Sequence, residues 1–147
     1  MAGNTMSSRQ SLSQALGGVA KAHAAVQALS INFDGWMVEE VSKLDAARAA
    51  LPADAFSIEA VSTLYMRAHD LKGLAPTFGY PLVHELAAAL CVLIDDDSLP
   101  FEARLPVIDD HIDAIRTLAS KQLRSAADPL GRRLLNQLAE DLRQLME

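Results

Sequence analysis

Apolar side chains recur every three or four positions along most of the chain, and this spacing predicts amphipathic α-helices. No stretch shows the strict apolar and polar alternation of a half-buried strand. The apolar runs predict six helical segments, over residues 12–30, 35–51, 57–78, 81–94, 99–123 and from 128 onward.

Residues that favour helix ends separate these segments. Asn32 or Asp34 can cap the second segment, and Ser57 can cap the third. Gly79 followed by Pro81 is typical of one helix ending and the next beginning. Helices joined by so short a connection pack as antiparallel neighbours.

The predicted fold class is all-α: an antiparallel up-and-down four-helix bundle with one or two additional helices. The polar residues 1–10 are expected to form a flexible N-terminal tail, and residues 11–147 a single domain with its core at about 35–123. A chain of 147 residues can bury such a core without disulfides or metals. We expect a monomer.

Composition narrows the classes of partner and compartment. The net charge of −6 and the lack of a basic run argue against nucleic acid. The single cysteine, Cys91, lies in the apolar run 90–94, so we expect a buried core residue in a reduced, cytoplasmic protein. No run reaches the roughly 18 apolar residues that a membrane span needs, and the polar N-terminus lacks the apolar core of a secretory signal.

Two polar clusters raise the possibility of a metal site, which their spacing does not favour. Asp95–Asp97 lacks the loop and distal glutamate of a calcium-binding hand, so we expect a solvated turn that caps the next helix. Asp109, Asp110, His111 and Asp113 are expected to form a solvated helix face. We predict no bound metal.

The segment from Ser57 to Phe78 carries the candidate chemistry. On a helical wheel, His69 falls on the flank between core and solvent. The centre of the buried stripe is defined by Val61, Leu64, Ala68, Leu71 and Ala75. Asp70 points to the far side and should be solvated. The residues within one or two turns of His69 on the helix surface are Ser62, Tyr65, Met66, Lys72, Gly73 and Pro76.

The residues that follow His69 suit phosphoryl chemistry. Gly73 and Pro76 both weaken a helix, by about 1 and 3 kcal/mol, and Gly73 would leave room for a bulky group beside the imidazole. Imidazole is largely neutral near pH 7, so a ring nitrogen can act as a nucleophile. The stem of Lys72 can lie on apolar surface while its ammonium offsets phosphoryl charge. The same pattern also fits a helix that merely ends near Pro76, with His69 incidental.

The run from Ala68 to Gly73, followed by Phe78 and Gly79, resembles the signature of histidine-containing phosphotransfer (HPt) domains. The family pattern has a histidine, a lysine three on, a glycine four on and a second glycine about ten on. His69, Lys72, Gly73 and Gly79 match it, and the likeness extends over about residues 35–123. Pro76 departs from the small or polar residue expected there.

The resemblance implies a phosphocarrier without kinase activity of its own. His69 would accept a phosphoryl group from an aspartyl phosphate on a receiver domain of a response regulator or hybrid histidine kinase, and pass it to another receiver. Lys72 would support the charge and Gly73 would leave space. The magnesium ion would belong to the receiver, so no cofactor is implied here.

The expected receiver-docking surface is apolar and surrounds His69. Ser62, Tyr65, Met66 and Pro76 are candidates, and so are residues of the Leu82–Leu90 segment. His84 could line the site, although an ordinary surface histidine is the simpler interpretation. His23 falls in an apolar stripe and is interpreted as structural.

Two other classes remain open from the sequence. One is the dimerisation and phosphotransfer part of a histidine kinase, although no ATP-binding motif follows His69. The other is a non-catalytic helical adaptor.

Overall fold

The computed structural model describes residues 2–52 and 56–147, and it is all-α, as predicted. Within these residues the elements in chain order are α1 (Ala2–Ala49), α2 (Ile58–Phe78), α3 (Pro81–Asp95), α4 (Phe101–Ser120) and α5 (Pro129–Met146). The chain divides into two compact units, Met1–Phe33 and Asp34–Glu147.

The first unit contains the N-terminal part of α1. Leu16 and Val19 belong to the predicted apolar stripe, and both side chains are exposed. The side chain of His23, interpreted from the sequence as structural, lies outside the described residues. Residues 2–10 lie within the bounds of α1, and their side chains are outside the described residues. The flexible tail expected at residues 1–10 therefore stays a prediction.

The predicted helix boundary at Asn32 or Asp34 is wrong, because α1 continues through both residues. Asn, Asp and Gly each cost a helix interior about 1 kcal/mol or less, whereas a proline would cost about 3. Good capping residues therefore permit a helix start at this position without requiring one.

The second unit is an antiparallel helical bundle in which one side of each helix is buried. Residues 34–49 of α1 contribute Met37, Val41 and Leu44 to the core, and α5 contributes Leu138. Cys91 is buried on α3, as predicted. The interior of the bundle is formed by Leu64, Leu71, Tyr80, Val83, Leu90, Ile108, Ile112, Ile115 and Leu118, which are all under 3 % exposed.

Two arginine–aspartate pairs join α1 to α4. Arg48 Nη2 donates to Asp109 Oδ2 at 3.0 Å, and its Nε also donates to that carboxylate. Arg116 Nη2 and Nε donate to the two carboxylate oxygens of Asp45, at 2.6 and 3.1 Å. Both pairs are bidentate, so they orient the two helices as well as attract them.

A buried tyrosine, Tyr80, lies in the turn between α2 and α3. Tyr80 is fully buried, and its hydroxyl donates to Asp34 Oδ1 at 2.7 Å. Arg124 also pairs with Asp34, and its guanidinium lies 4.8 Å above the centre of the Tyr80 ring. Burial, followed by the hydrogen bond and charge of Asp34, raises the pKa of Tyr80 to about 12.

The raised pKa of Tyr80 predicts an alkaline loss of stability. The folded protein holds the phenol proton more tightly than the unfolded chain, whose tyrosine pKa is about 10. The protonated Tyr80 phenol should therefore make its full contribution to the free energy of unfolding below about pH 10. That contribution should disappear as the pH rises through about 12. Tyrosinate absorbance in a Tyr65→Phe variant, which leaves Tyr80 as the remaining tyrosine, should show a midpoint near 12. A midpoint near 10 in the folded protein would refute the prediction.

Candidate functional site

Helix α2 is fixed at both ends and along its buried side. Ser57 Oγ accepts the N–H of Ala60 at 3.2 Å, as predicted for an N-cap. Gly79 ends the helix with a left-handed φ of 85°, which glycine adopts without steric cost. Leu64, Ala68, Leu71 and Ala75 have no exposed surface.

This anchoring places His69 on the exposed flank of α2. The Tyr65 ring stacks against the imidazole, with the ring centres 6.1 Å apart and the planes inclined by 27°. No hydrogen bond or ion pair engages the His69 ring within the described residues. Its nitrogens are therefore available to an approaching molecule. Asp70 is exposed, as predicted, but the expectation that it points to the far side of α2 is wrong, because Asp70 and His69 line one groove.

A groove of about 380 Å³ lies beside His69, between α1 and α2. Gly73 forms part of its wall, and a Cβ built on Gly73 would meet no atom within 4 Å. The surface at Gly73 is therefore open, and its role in admitting a partner group beside the histidine stays a prediction. The groove is lined by Glu40, Lys43, Arg67, His69, Asp70, Gly73 and Leu74.

Four of these lining residues were not anticipated from the sequence, and three of them are charged. Lys43 and Glu40 lie one turn apart on α1 and form an ion pair at 2.8 Å, and Arg67 lies on α2. They bring both signs of charge to the groove beside His69. Their spacing marks a polar helix face, but the register between α1 and α2 is needed to place that face beside His69.

Lys72 does not line this groove. Its side chain is half-buried, and its charge acts on Cys91 of α3. Burial raises the pKa of the Cys91 thiol, and the positive charge of Lys72 opposes that shift. The half-buried lysine agrees with a stem that lies on apolar surface.

Pro76 and His84 are joined through the backbone of α2. A helix residue normally donates its N–H to the carbonyl four positions earlier, and Pro76 has no N–H to offer Lys72. His84 Nδ1 lies 2.8 Å from the Lys72 carbonyl oxygen. His84 is half-buried and hydrogen-bonded, so the interpretation of an ordinary surface histidine is wrong.

The predicted docking residues of α2 are accessible to different degrees. Ser62, Met66 and Pro76 are exposed, Met66 at 60 %, and Tyr65 is half-buried beneath the imidazole. The expected contribution from the Leu82–Leu90 segment is mostly wrong, because its apolar side chains face the core. The buried residues of that segment are Leu82, Val83, Leu86, Ala87 and Leu90.

A second cavity of about 290 Å³ lies where α2 begins, next to the end of α3 and the start of α4. Ser62 and Tyr65 form one edge, and the rings of Phe56 and Phe101 meet edge to face at 5.8 Å. Arg104 forms another wall and is 5 % exposed. It donates from Nη1 to the carbonyls of Leu93 and Ile94 at 2.8 and 2.6 Å, and from Nε to that of Leu99 at 3.1 Å.

The polar cluster of residues 109–113 on α4 is not simply a solvated helix face, because several of its side chains are buried or paired. His111 is buried and bonds through Nδ1 to the Val107 carbonyl at 2.8 Å; burial lowers its pKa. Asp109 and Asp113 pair with arginines. Within the described ranges, no group of three or more His, Cys, Asp or Glu side chains is arranged to hold a metal ion.

The turn after α3 is also only partly as expected. Asp96 accepts the N–H of Ser98 at 2.9 Å, which makes a local polar turn. It does not cap α4, because Pro100 occupies the N-cap position.

The chain matches no family model, no curated protein and no solved structure. Among the described residues, no helix combines the length and apolar character required to cross a membrane.

Proposed function

We propose that the protein is a histidine phosphocarrier of a phosphorelay, with His69 as the phosphoryl acceptor. The observation that carries this proposal is an exposed imidazole that makes no hydrogen bond or ion pair within the described residues, on a helix capped at both ends and next to an open groove at Gly73. The resemblance of the surrounding motif to HPt domains supports the same conclusion.

The accepting step is a displacement at phosphorus. A lone pair on a His69 ring nitrogen attacks the phosphorus of an aspartyl phosphate on a receiver domain. The P–N bond forms as the P–O bond to the carboxyl group breaks, and its electron pair leaves with the aspartate carboxylate. The imidazolium that results keeps the proton on its other nitrogen until solvent removes it. The reverse displacement by a second receiver's aspartate completes the relay.

The surrounding groups have distinct parts in this proposal. The Tyr65 stack limits rotation of the imidazole, so that less orientational freedom is lost during the attack. Lys72, one turn on, contributes positive charge near the phosphoryl group. The receiver supplies the magnesium ion, and Ser62, Met66 and Pro76 contact the receiver surface.

Transfer from a labelled receiver tests the proposal. The protein is incubated with a receiver domain carrying ³²P on its aspartate, and the label should move to this chain in an acid-labile, alkali-stable form. An absence of transfer from a broad set of receivers would support an adaptor. Labelling by ATP with no other protein present would instead support a kinase fragment.

Gly73 gives a prediction that separates stability from transfer. Gly73→Ala should raise the free energy of unfolding by about 0.5–1 kcal/mol, because alanine favours the helix and the added methyl meets open space. Gly73→Gln should lower the transfer rate by roughly 10- to 100-fold, because the longer side chain displaces the approaching receiver.

Gly35 is the matched control, since it is also an exposed helical glycine with open space around its Cβ position. Gly35→Ala should stabilise the protein similarly, and Gly35→Gln should leave transfer unchanged. Equal transfer by Gly73→Gln and Gly35→Gln would contradict a docking role for the groove.

A further inference from the structure

The carbonyl of Lys72 receives its hydrogen bond from a neighbouring helix. Pro76 removes the N–H that would bond to this oxygen, and the proline ring also crowds it. A carbonyl that is withdrawn from water and left without a partner is costly, and the hydrogen bond at this oxygen is part-buried. The Nδ1 atom of His84, on α3, lies 2.8 Å from it.

The carbonyl acceptor determines which ring nitrogen of His84 carries a hydrogen. A carbonyl oxygen has no proton to give, so Nδ1 must carry the hydrogen. In neutral His84 the lone pair is therefore on Nε2. Protonation of Nε2 leaves the Nδ1–H donor in place, so both charge states can make this bond.

The position of His84 is itself fixed by the short turn between α2 and α3. Its backbone N–H donates to the Tyr80 carbonyl at 3.1 Å, in the first turn of α3, and Tyr80 is fully buried. The His84 bond therefore connects an anchored part of α3 to α2 one turn after His69.

We infer that His84 replaces the helix hydrogen bond that Pro76 removes, and that it is a positioning residue which fixes the α2 backbone at Lys72, one turn after His69. The second half of this inference rests on the proposed phosphocarrier function. It gives Pro76 a physical role: the proline frees an α2 carbonyl through which α3 can orient the site.

A double-mutant cycle between His84 and Pro76 tests the hydrogen-bond replacement. In the natural background, His84→Ala should lower the ratio of folded to unfolded protein by about tenfold, because the Lys72 carbonyl loses its donor. In a Pro76→Ala background, residue 76 regains an N–H for this carbonyl, and His84→Ala should cost much less. Equal losses in the two backgrounds would overturn the inference.

Two further measurements do not depend on the stability of His84→Ala. Ring ¹⁵N shifts of the natural protein should identify the Nδ1–H tautomer of His84, and the Nε2–H tautomer would overturn the inference. His84→Asn places an amide N–H₂ near the former Nδ1 position and should restore much of the lost stability. An asparagine variant no more stable than His84→Ala would contradict the assigned donor.

The positioning role is tested through the maximum rate of phosphoryl transfer. His84→Ala should lower the rate at saturating receiver without changing the receiver concentration that gives half of that rate. In a Lys72→Met background, which removes the ammonium, His84→Ala should have no further effect on the rate. If His84 has only a structural role, His84→Ala should lower the maximum transfer rate by the same factor in the natural and the Lys72→Met backgrounds. That result would overturn the positioning role.

Failure of the proposed function has a different signature. If no variant and no natural protein accepts label, the phosphocarrier proposal and the positioning role both fail. The tautomer and the stability coupling then still decide whether His84 replaces the bond lost at Pro76.

Discussion

His69→Gln is expected to lower phosphoryl acceptance from a labelled receiver by roughly 10³-fold or more, to background. Glutamine retains a polar side chain of similar reach, but its amide nitrogen has no lone pair available for attack on phosphorus. The His69 side chain is exposed and makes no hydrogen bond within the described chain, so the substitution removes no structural contact of that kind. Loss of label should therefore occur with an unchanged free energy of unfolding.

His23→Gln is the matched control, because it makes the same chemical change at another histidine of the chain. It should accept label as the natural protein does. Label retained in His69→Gln would place the acceptor elsewhere.

The largest effect on stability is expected at Arg104. Arg104→Met should lower the free energy of unfolding by about 3 kcal/mol, because it removes charged donors from carbonyls that the buried guanidinium satisfies. Three bonds are lost, to Leu93, Ile94 and Leu99. These bonds connect α4 to the end of α3 and to the turn that follows it. Methionine replaces the apolar stem of arginine but not its guanidinium donors.

Arg133→Met on α5 is the control, since Arg133 is exposed. Its cost should be within about 0.5 kcal/mol. Urea denaturation of both variants measures the difference, and an Arg104→Met midpoint equal to that of Arg133→Met would show that the Arg104 contacts contribute no net stability.

The sequence predicted best those features that depend on local periodicity and helix ends. Ser57 and Gly79 carry chemical signals that require little knowledge of the remaining fold, and both cap α2 as expected. The apolar stripe through Leu71 correctly placed His69 on an exposed flank. The boundary at Asn32 or Asp34 failed because those residues favour a cap but also tolerate a helix interior.

The remaining features of the site depend on contacts between helices. Lys43 of α1 lines the groove beside His69 because of where the fold places α1 relative to α2, which local sequence patterns do not specify. The bond from His84 to Lys72 spans twelve positions and joins two helices. The sequence identified Pro76 as costly to the helix, but only the packing of α3 shows that His84 bonds to the carbonyl of Lys72.

The most direct test of the central claim is to locate the phosphoryl group after transfer. The protein is labelled with ¹⁵N at histidine and phosphorylated by a receiver. It is then kept at alkaline pH, where a phosphohistidine is stable, and examined by ³¹P–¹⁵N correlation spectroscopy. The phosphocarrier account predicts one phosphorus nucleus coupled to a ring nitrogen of His69, with His84 unmodified. A phosphorus signal coupled to another histidine, or one without nitrogen coupling, would contradict it.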